Sequence, residues 1–76
     1  MMPKMEWCIE NIESQRLMEL QSELHGDRIV IFESPEQAED FIKEFNFDMT
    51  DGIIVQRIIY GPKVSCEDAR IELYEE

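Results

Sequence analysis

Few residues of this sequence could do nucleophilic or acid–base chemistry. His25 is the single histidine and could act as a general base, while Cys8 and Cys66 could act as nucleophiles. Such a pair works only when the two side chains lie within hydrogen-bonding reach, which their separation in sequence does not indicate. Each residue also has an ordinary structural role, because cysteine packs as a small hydrophobic side chain and histidine suits the end of a helix. We therefore expect no enzyme activity and no catalytic residue.

Motifs for cofactors and metals are also missing from the sequence. Gly26, Gly52 and Gly61 are isolated, so they do not form a phosphate-binding loop. Two short acidic segments, residues 48–51 and 67–68, could offer oxygen ligands to a hard cation. A calcium loop, however, supplies about six or more oxygens from closely spaced positions. We interpret both segments as chance surface clusters and predict no cofactor and no metal site.

Negative charge is the dominant feature of the composition. The chain has 18 acidic and 7 basic side chains, which give a formal net charge of −11. Binding to a phosphate backbone needs clustered lysine and arginine, whereas the basic residues here are scattered singly. The charge therefore argues against direct nucleic-acid binding and favours a partner protein with a basic surface. The apolar fraction of 43% is ordinary for a folded chain, so we do not expect disorder.

The strongest local signal begins at Ser34. Ser34 suits the N-cap of a helix, Pro35 suits its first position, and Gln37 completes a capping box. Apolar residues then recur at helical spacing, and the helix is predicted to end near Asn46. Residues three or four apart on a helix lie about 5–6 Å apart. The polar face of this helix thus presents regularly spaced negative charge, as a phosphate backbone does. Its carboxylates are the predicted partner-binding residues: Glu36, Glu39, Asp40 and Glu44.

The segments before this helix have simpler patterns. Alternation of apolar residues predicts a strand over residues 5–9. Leucines recur at helical spacing over residues 14–25, which predicts a first helix, and Gly26 suits the position just after its end. Residues 28–33 form an apolar, β-branched run and predict a strand inside a sheet.

The segments after this helix include one ambiguous stretch. Residues 48–52 predict a turn, residues 53–60 a second apolar strand, and residues 61–68 a loop. The last segment, residues 66–75, alternates in a way that favours a strand, but Ser65 could instead cap a final helix.

Together these elements predict one α+β domain over residues 1–76, with the order β-α-β-α-β-β. A sheet of three to four strands would carry two helices on one face. A chain this short buries only roughly 60% of its unfolded surface, so self-association would help to stabilise it.

Features that would direct the chain out of the cytoplasm are missing from the sequence. The first residues lack a basic region followed by an apolar run, and the apolar stretches are far too short to span a membrane. We therefore expect a cytoplasmic protein with two free thiols rather than a disulfide, because disulfides are rare in reducing compartments.

Two functional hypotheses follow from these observations. The first is a small acidic interaction protein, an inhibitor or regulator that docks on the basic, nucleic-acid-binding surface of a partner by charge mimicry. The alternative is a structural or accessory subunit, either of a homo-oligomer such as a homodimer or of a larger complex, whose acidity serves only solubility. The apolar strands at residues 29–32 and 53–60 favour the alternative, because two helices need not cover both faces of a sheet.

Overall fold

The computed structural model describes residues 3–75 of the chain. Its elements follow in the order β1 (Met5–Asn11), β2 (Glu19–Leu20), β3 (Arg28–Ile31), α1 (Pro35–Phe45), β4 (Gly52–Ile58), β5 (Lys63–Ser65) and α2 (Cys66–Glu75). The architecture is the small α+β fold that the sequence predicts, with two helices. Met1, Met2 and Glu76 lie outside the described residues, and the expectation of no signal peptide partly rests on Met1 and Met2.

The strands form two small sheets rather than one sheet of three to four strands. β1 and β4 pair antiparallel over their full length, with Met5 opposite Ile58 and Asn11 opposite Gly52. In the second sheet β3 lies in the middle, antiparallel to β2 and parallel to β5. Two isolated bridges, Trp7–Phe32 and Glu10–Leu17, link β1 to the second sheet. The strands therefore form a nearly continuous layer with β4 at one side.

Both helices contribute to one core cluster and so pack on the same face of this layer, although the second helix is α2 rather than the predicted helix over residues 14–25. Each helix contributes two buried side chains to the core, and burial of this apolar surface drives the packing. The buried core cluster comprises Ile9, Val30, Phe32, Ala38, Phe41, Val64, Cys66 and Ala69. The strands predicted near residues 5–9, 28–33 and 53–60 are confirmed as β1, β3 and β4.

The predicted helix over residues 14–25 does not form. Gln15 adopts a left-handed conformation with φ of 61°, which interrupts any helix at its first turn. Met18 then donates its backbone N–H to Ile9 and accepts one from Val30, so the segment is held between two strands. Gly26 has the expected positive φ of 78°, but it closes a single turn rather than a helix. Tertiary strand pairing has overridden the helical spacing of the leucines.

The strand that the sequence favours at residues 66–75 does not form, and the alternative of a final helix is the one observed. Residues 66–75 form α2, because the Ser65 hydroxyl accepts the backbone N–H of Asp68 and caps the helix. Cys66 and Ala69 are buried on one side of α2, whereas Ile71 is exposed. The predicted loop over residues 61–68 is likewise wrong, because it contains the short strand β5 and the start of α2.

Candidate functional site

Helix α1 is fixed at both ends by the residues that the sequence indicates. The Ser34 hydroxyl accepts the backbone N–H of Gln37 at 3.1 Å, and Pro35 occupies the first position. The Gln37 side chain accepts the N–H of Glu33 at 2.8 Å, so the box closes one residue earlier than in the usual arrangement. At the other end, Asn46 takes a left-handed conformation with φ of 54°. Its backbone N–H donates to the carbonyls of Ile42 and Lys43 in the last turn.

The apolar side of α1 determines which side chains face solvent. Ala38 and Phe41 are buried, and the ring of Phe41 lies 5.4 Å from Phe32, 4.9 Å from Phe45 and 5.7 Å from Phe47. This aromatic cluster prevents rotation of the helix about its axis, because any rotation would expose Phe41 to water. The carboxylates on the opposite side are therefore held at defined positions on the surface.

All four predicted partner-binding residues are exposed on α1, but they are not equivalent. Glu44 is engaged by α2, since Arg70 Nε lies 2.9 Å from its Oε1 and the Tyr74 hydroxyl donates to its Oε2. The Tyr74 hydrogen bond, followed by the Arg70 bond, lowers the pKa of Glu44 below its ordinary value. Glu36, Glu39 and Asp40 have no ion pair within residues 3–75. The free negative charge of α1 is thus carried by three residues rather than four.

One further carboxylate extends this surface from the start of α2. Burial raises the pKa of the Cys66 thiol, Arg70 opposes that shift, and Glu44, Glu67 and Asp40 each raise the pKa further. Glu67 also lines one groove together with Gln37 of α1, so it lies beside the first turns of that helix. We call the exposed set Glu36, Glu39, Asp40 and Glu67 the acidic helical surface. Glu67 was missed as a member of this set because the sequence favoured a strand at residues 66–75.

Most carboxylates remain without a basic partner. Among the described residues there are four ion pairs: Arg28–Glu72, Arg57–Glu10, Lys63–Glu6 and Arg70–Glu44. Each uses a different acidic residue, so 13 of the 17 acidic side chains between residues 3 and 75 have no ion pair. Net negative charge therefore persists at the surface after folding.

A groove of about 500 Å³ lies at the carboxyl ends of the parallel strands β3 and β5. This is where open α/β sheets commonly bind ligands. The groove contains three carboxylates, from Glu6, Glu33 and Glu67, against one lysine, Lys4. That balance disfavours an anionic ligand, although two helices begin nearby. Sequence reasoning missed the groove because β5, which forms part of its wall, was not predicted.

The residues that could have done nucleophilic chemistry are not brought together. Cys8 and Cys66 are free and buried, as predicted, and burial raises the pKa of both thiols. His25 is exposed in a turn, whereas both thiols are buried. The expectation that the chain is not an enzyme stays a prediction.

Neither acidic segment considered for a cation forms a cluster suited to one. Asp48 Oδ1 accepts both the backbone N–H and the hydroxyl of Thr50, which lowers the pKa of Asp48 and accounts for its position in a tight turn. Over residues 3–75 there is no group of three or more histidine, cysteine, aspartate or glutamate side chains that could hold a metal ion.

Comparisons with known proteins found no match. The chain matches no family model, no curated protein and no solved structure. Within residues 3–75, neither helix has the length and apolar character needed to cross a membrane.

Proposed function

We propose that this chain is a small protein-binding module that docks its acidic helical surface on a basic, nucleic-acid-binding surface of a partner protein. It would act as an inhibitor or regulator, because a docked acidic surface excludes nucleic acid from the same site. The observation that carries the proposal is the row of three unpaired carboxylates on one rigid helix, with a fourth at the start of the neighbouring helix.

The geometry of the row supports recognition of a basic surface. Glu36 and Asp40 are one helical turn apart, which places them about 6 Å apart along the axis, and Glu39 lies beside them. Because α1 is capped at both ends and packed through Phe41, these charges lose little freedom on binding. Complementary charge of this kind mainly accelerates encounter and selects the partner, while a few apolar contacts supply most of the affinity.

The charge on Glu44 has a different role in this proposal. Its pairing with Arg70 and Tyr74 holds α2 against α1, so Glu44 positions Glu67 rather than meeting the partner. In this proposal the contact surface is therefore the acidic helical surface, in which Glu67 takes the place of Glu44. The proposal also places the chain in the cytoplasm, which is supported by two buried cysteines that remain unpaired.

The test compares two variants of equal charge. In the first, Glu36→Gln, Glu39→Gln and Asp40→Asn neutralise the row on α1. In the second, the control, exposed and unpaired carboxylates outside the helices are neutralised by substitutions of the same type: Glu13→Gln, Glu23→Gln and Asp27→Asn. Each variant changes the formal net charge from −11 to −8.

Partners are captured from source-cell lysate with each variant at low and high salt, and the affinity of the purified partner is then measured. Three exposed charge pairs at about 0.2–1 kcal/mol each imply that the helix variant binds between about 3-fold and about 150-fold more weakly. The control variant should bind like the unmodified chain, and duplex DNA should compete for the same partner. Equal weakening in both variants, or no competition by DNA, would contradict charge mimicry.

A further inference from the structure

The outer edge of β4 is an unpaired strand edge. β4 has seven residues and pairs only with β1, so no strand within residues 3–75 lies along its other side. A row of backbone N–H and C=O groups on such an edge is a template for another strand. The proposed function rests on the acidic helical surface and does not require this edge.

The hydrogen bonds of β1 reveal which groups of β4 point outward. The Trp7 and Ile9 carbonyls accept N–H groups from Phe32 and Met18, so both carbonyls point away from β4. In an antiparallel pair, residues alternate between those that bond across the pair and those that point away from it. Gln56 and Ile54, which lie opposite Trp7 and Ile9, therefore direct their backbone groups to the free edge.

The same alternation assigns the rest of β4. Ile58 also faces outward, whereas Ile53, Val55 and Arg57 bond to β1. The N–H of Ile12 donates to the carbonyl of Asp51, which continues the register by one pair and agrees with this phase. The free edge thus offers the N–H and C=O groups of three residues, Ile54, Gln56 and Ile58.

This edge lacks the features that usually prevent strand addition. Natural edges are protected by charged side chains, proline or bulges. β4 contains no proline and no acidic residue, and its one charged side chain, Arg57, is bound to Glu10. Ile53 and Ile58 are also exposed on it. Moreover, residues 52–66 contain no acidic side chain, although the chain has 18 in 76 residues.

We propose that β4 pairs with β4 of a second copy of this chain, antiparallel, to form a symmetric dimer. Two chains of formal charge −11 repel each other, and the acid-free segment is where they can approach with least repulsion. A two-fold axis at Gln56 pairs Gln56 with its own copy and Ile54 with Ile58 of the second copy. This register pairs the outward-facing groups of Ile54, Gln56 and Ile58, and it leaves the Gly52 N–H in its bond to Met49.

The proposed register also places matching side chains together. Residues directly opposite each other across a strand pair lie on the same face. Ile54, which packs against the core, would therefore lie beside the exposed Ile58 of the second copy. Because both helices lie on that face, the dimer would present two acidic helical surfaces on one side of a continuous sheet. Such an arrangement would bind a partner with two basic sites more tightly than either surface alone.

Hydrogen exchange of the unmodified chain, measured over a series of protein concentrations, tests the proposal directly. Protection of the Ile54, Gln56 and Ile58 amides should rise with concentration, in step with dimer formation seen by sedimentation. The Ile53, Val55 and Arg57 amides should be protected at every concentration, because they bond to β1, and they serve as an internal control. A chain that stays monomeric, or a dimer in which the three outward amides stay unprotected, would overturn the proposal.

Two matched substitutions provide a second test of the dimer interface. Ile58→Lys adds a charge at the edge and should weaken dimerisation by about tenfold or more. Ile71→Lys makes the same change on the exposed side of α2, where Ile71 is 57% exposed, and should have no effect. Circular dichroism would establish that both variants fold. A dimer lost in Ile71→Lys but kept in Ile58→Lys would assign the interface to α2 and overturn the pairing of β4.

Discussion

The contrast between Phe41 and Leu24 provides the sharpest test of how the acidic helix is held. The structure buries Phe41 to 1% exposure at the centre of the aromatic cluster, whereas Leu24 is 85% exposed. The leucine spacing of residues 14–25 predicts the opposite for Leu24, since a helix there would turn it toward the core. Replacing each residue by alanine therefore distinguishes the two arrangements.

The magnitudes differ enough to be decisive. Truncating a buried phenylalanine to alanine costs about 3–5 kcal/mol. A domain of this size has a total stability of only about 4–11 kcal/mol, so Phe41→Ala should leave it barely folded or unfolded. Phe41→Leu, which keeps most of the volume but loses the ring contacts, should cost about 1–3 kcal/mol. Leu24→Ala should change the free energy of unfolding by less than about 0.5 kcal/mol.

Urea unfolding followed by fluorescence measures these values. Trp7 is the single tryptophan and packs against the core, so its emission reports on loss of the core. A cost above about 2 kcal/mol for Leu24→Ala would mean that the leucines pack as a helix after all, since exposed truncations cost far less. A Phe41→Leu protein as stable as the unmodified chain would refute the aromatic anchor of α1.

Two further predictions concern titratable groups. The Arg28 hydrogen bonds lower the pKa of Glu72 below its ordinary 4.5, so the stabilisation from ionised Glu72 is present above that pH and lost as the pH falls below it. The Glu72→Gln variant should therefore be less stable than the unmodified chain at neutral pH and should lose less stability on acidification. Urea unfolding between neutral pH and pH 3 measures both. If the free energy of unfolding fell by the same amount in both proteins, the pairing of Glu72 with Arg28 would be contradicted. Burial raises the pKa of the Cys8 and Cys66 thiols above their ordinary 9.0, so both should react slowly with iodoacetamide in the folded chain and quickly in denaturant. Rapid native labelling of either thiol would show that it is not buried.

Sequence reasoning succeeded where the local signal and the tertiary contacts agree. Helix α1 has both a capping sequence and an apolar stripe, and each predicts the same element. The strands β1, β3 and β4 likewise have patterns that match their burial. The exposed carboxylates of α1 could be located from spacing alone, because a polar face opposite an apolar stripe must face water.

The failures arose where tertiary contacts decided the structure. The leucine spacing around residues 14–25 is helical, yet Met18 gains hydrogen bonds to two strands that no local pattern records. Strand β5 has three residues, too few for a periodic pattern, and it forms because β3 offers an edge. The ion pair between Glu44 and Arg70 depends on α2 packing beside α1, so the sequence could not predict that Glu44 differs from the other three carboxylates of α1.

The distribution of charge bears on the choice between a role in recognition and a role in solubility alone. A chain that needed negative charge only to remain dissolved would gain most by placing it on β4, because an open strand edge is where association begins. Instead β4 has no acidic residue, whereas α1 carries four and the first turn of α2 carries two. Three of the four on α1 repel one another without a compensating ion pair, which costs stability. The concentration of carboxylates on the two helices thus supports the proposal of a basic partner, whereas their absence from β4 fits the proposed dimer.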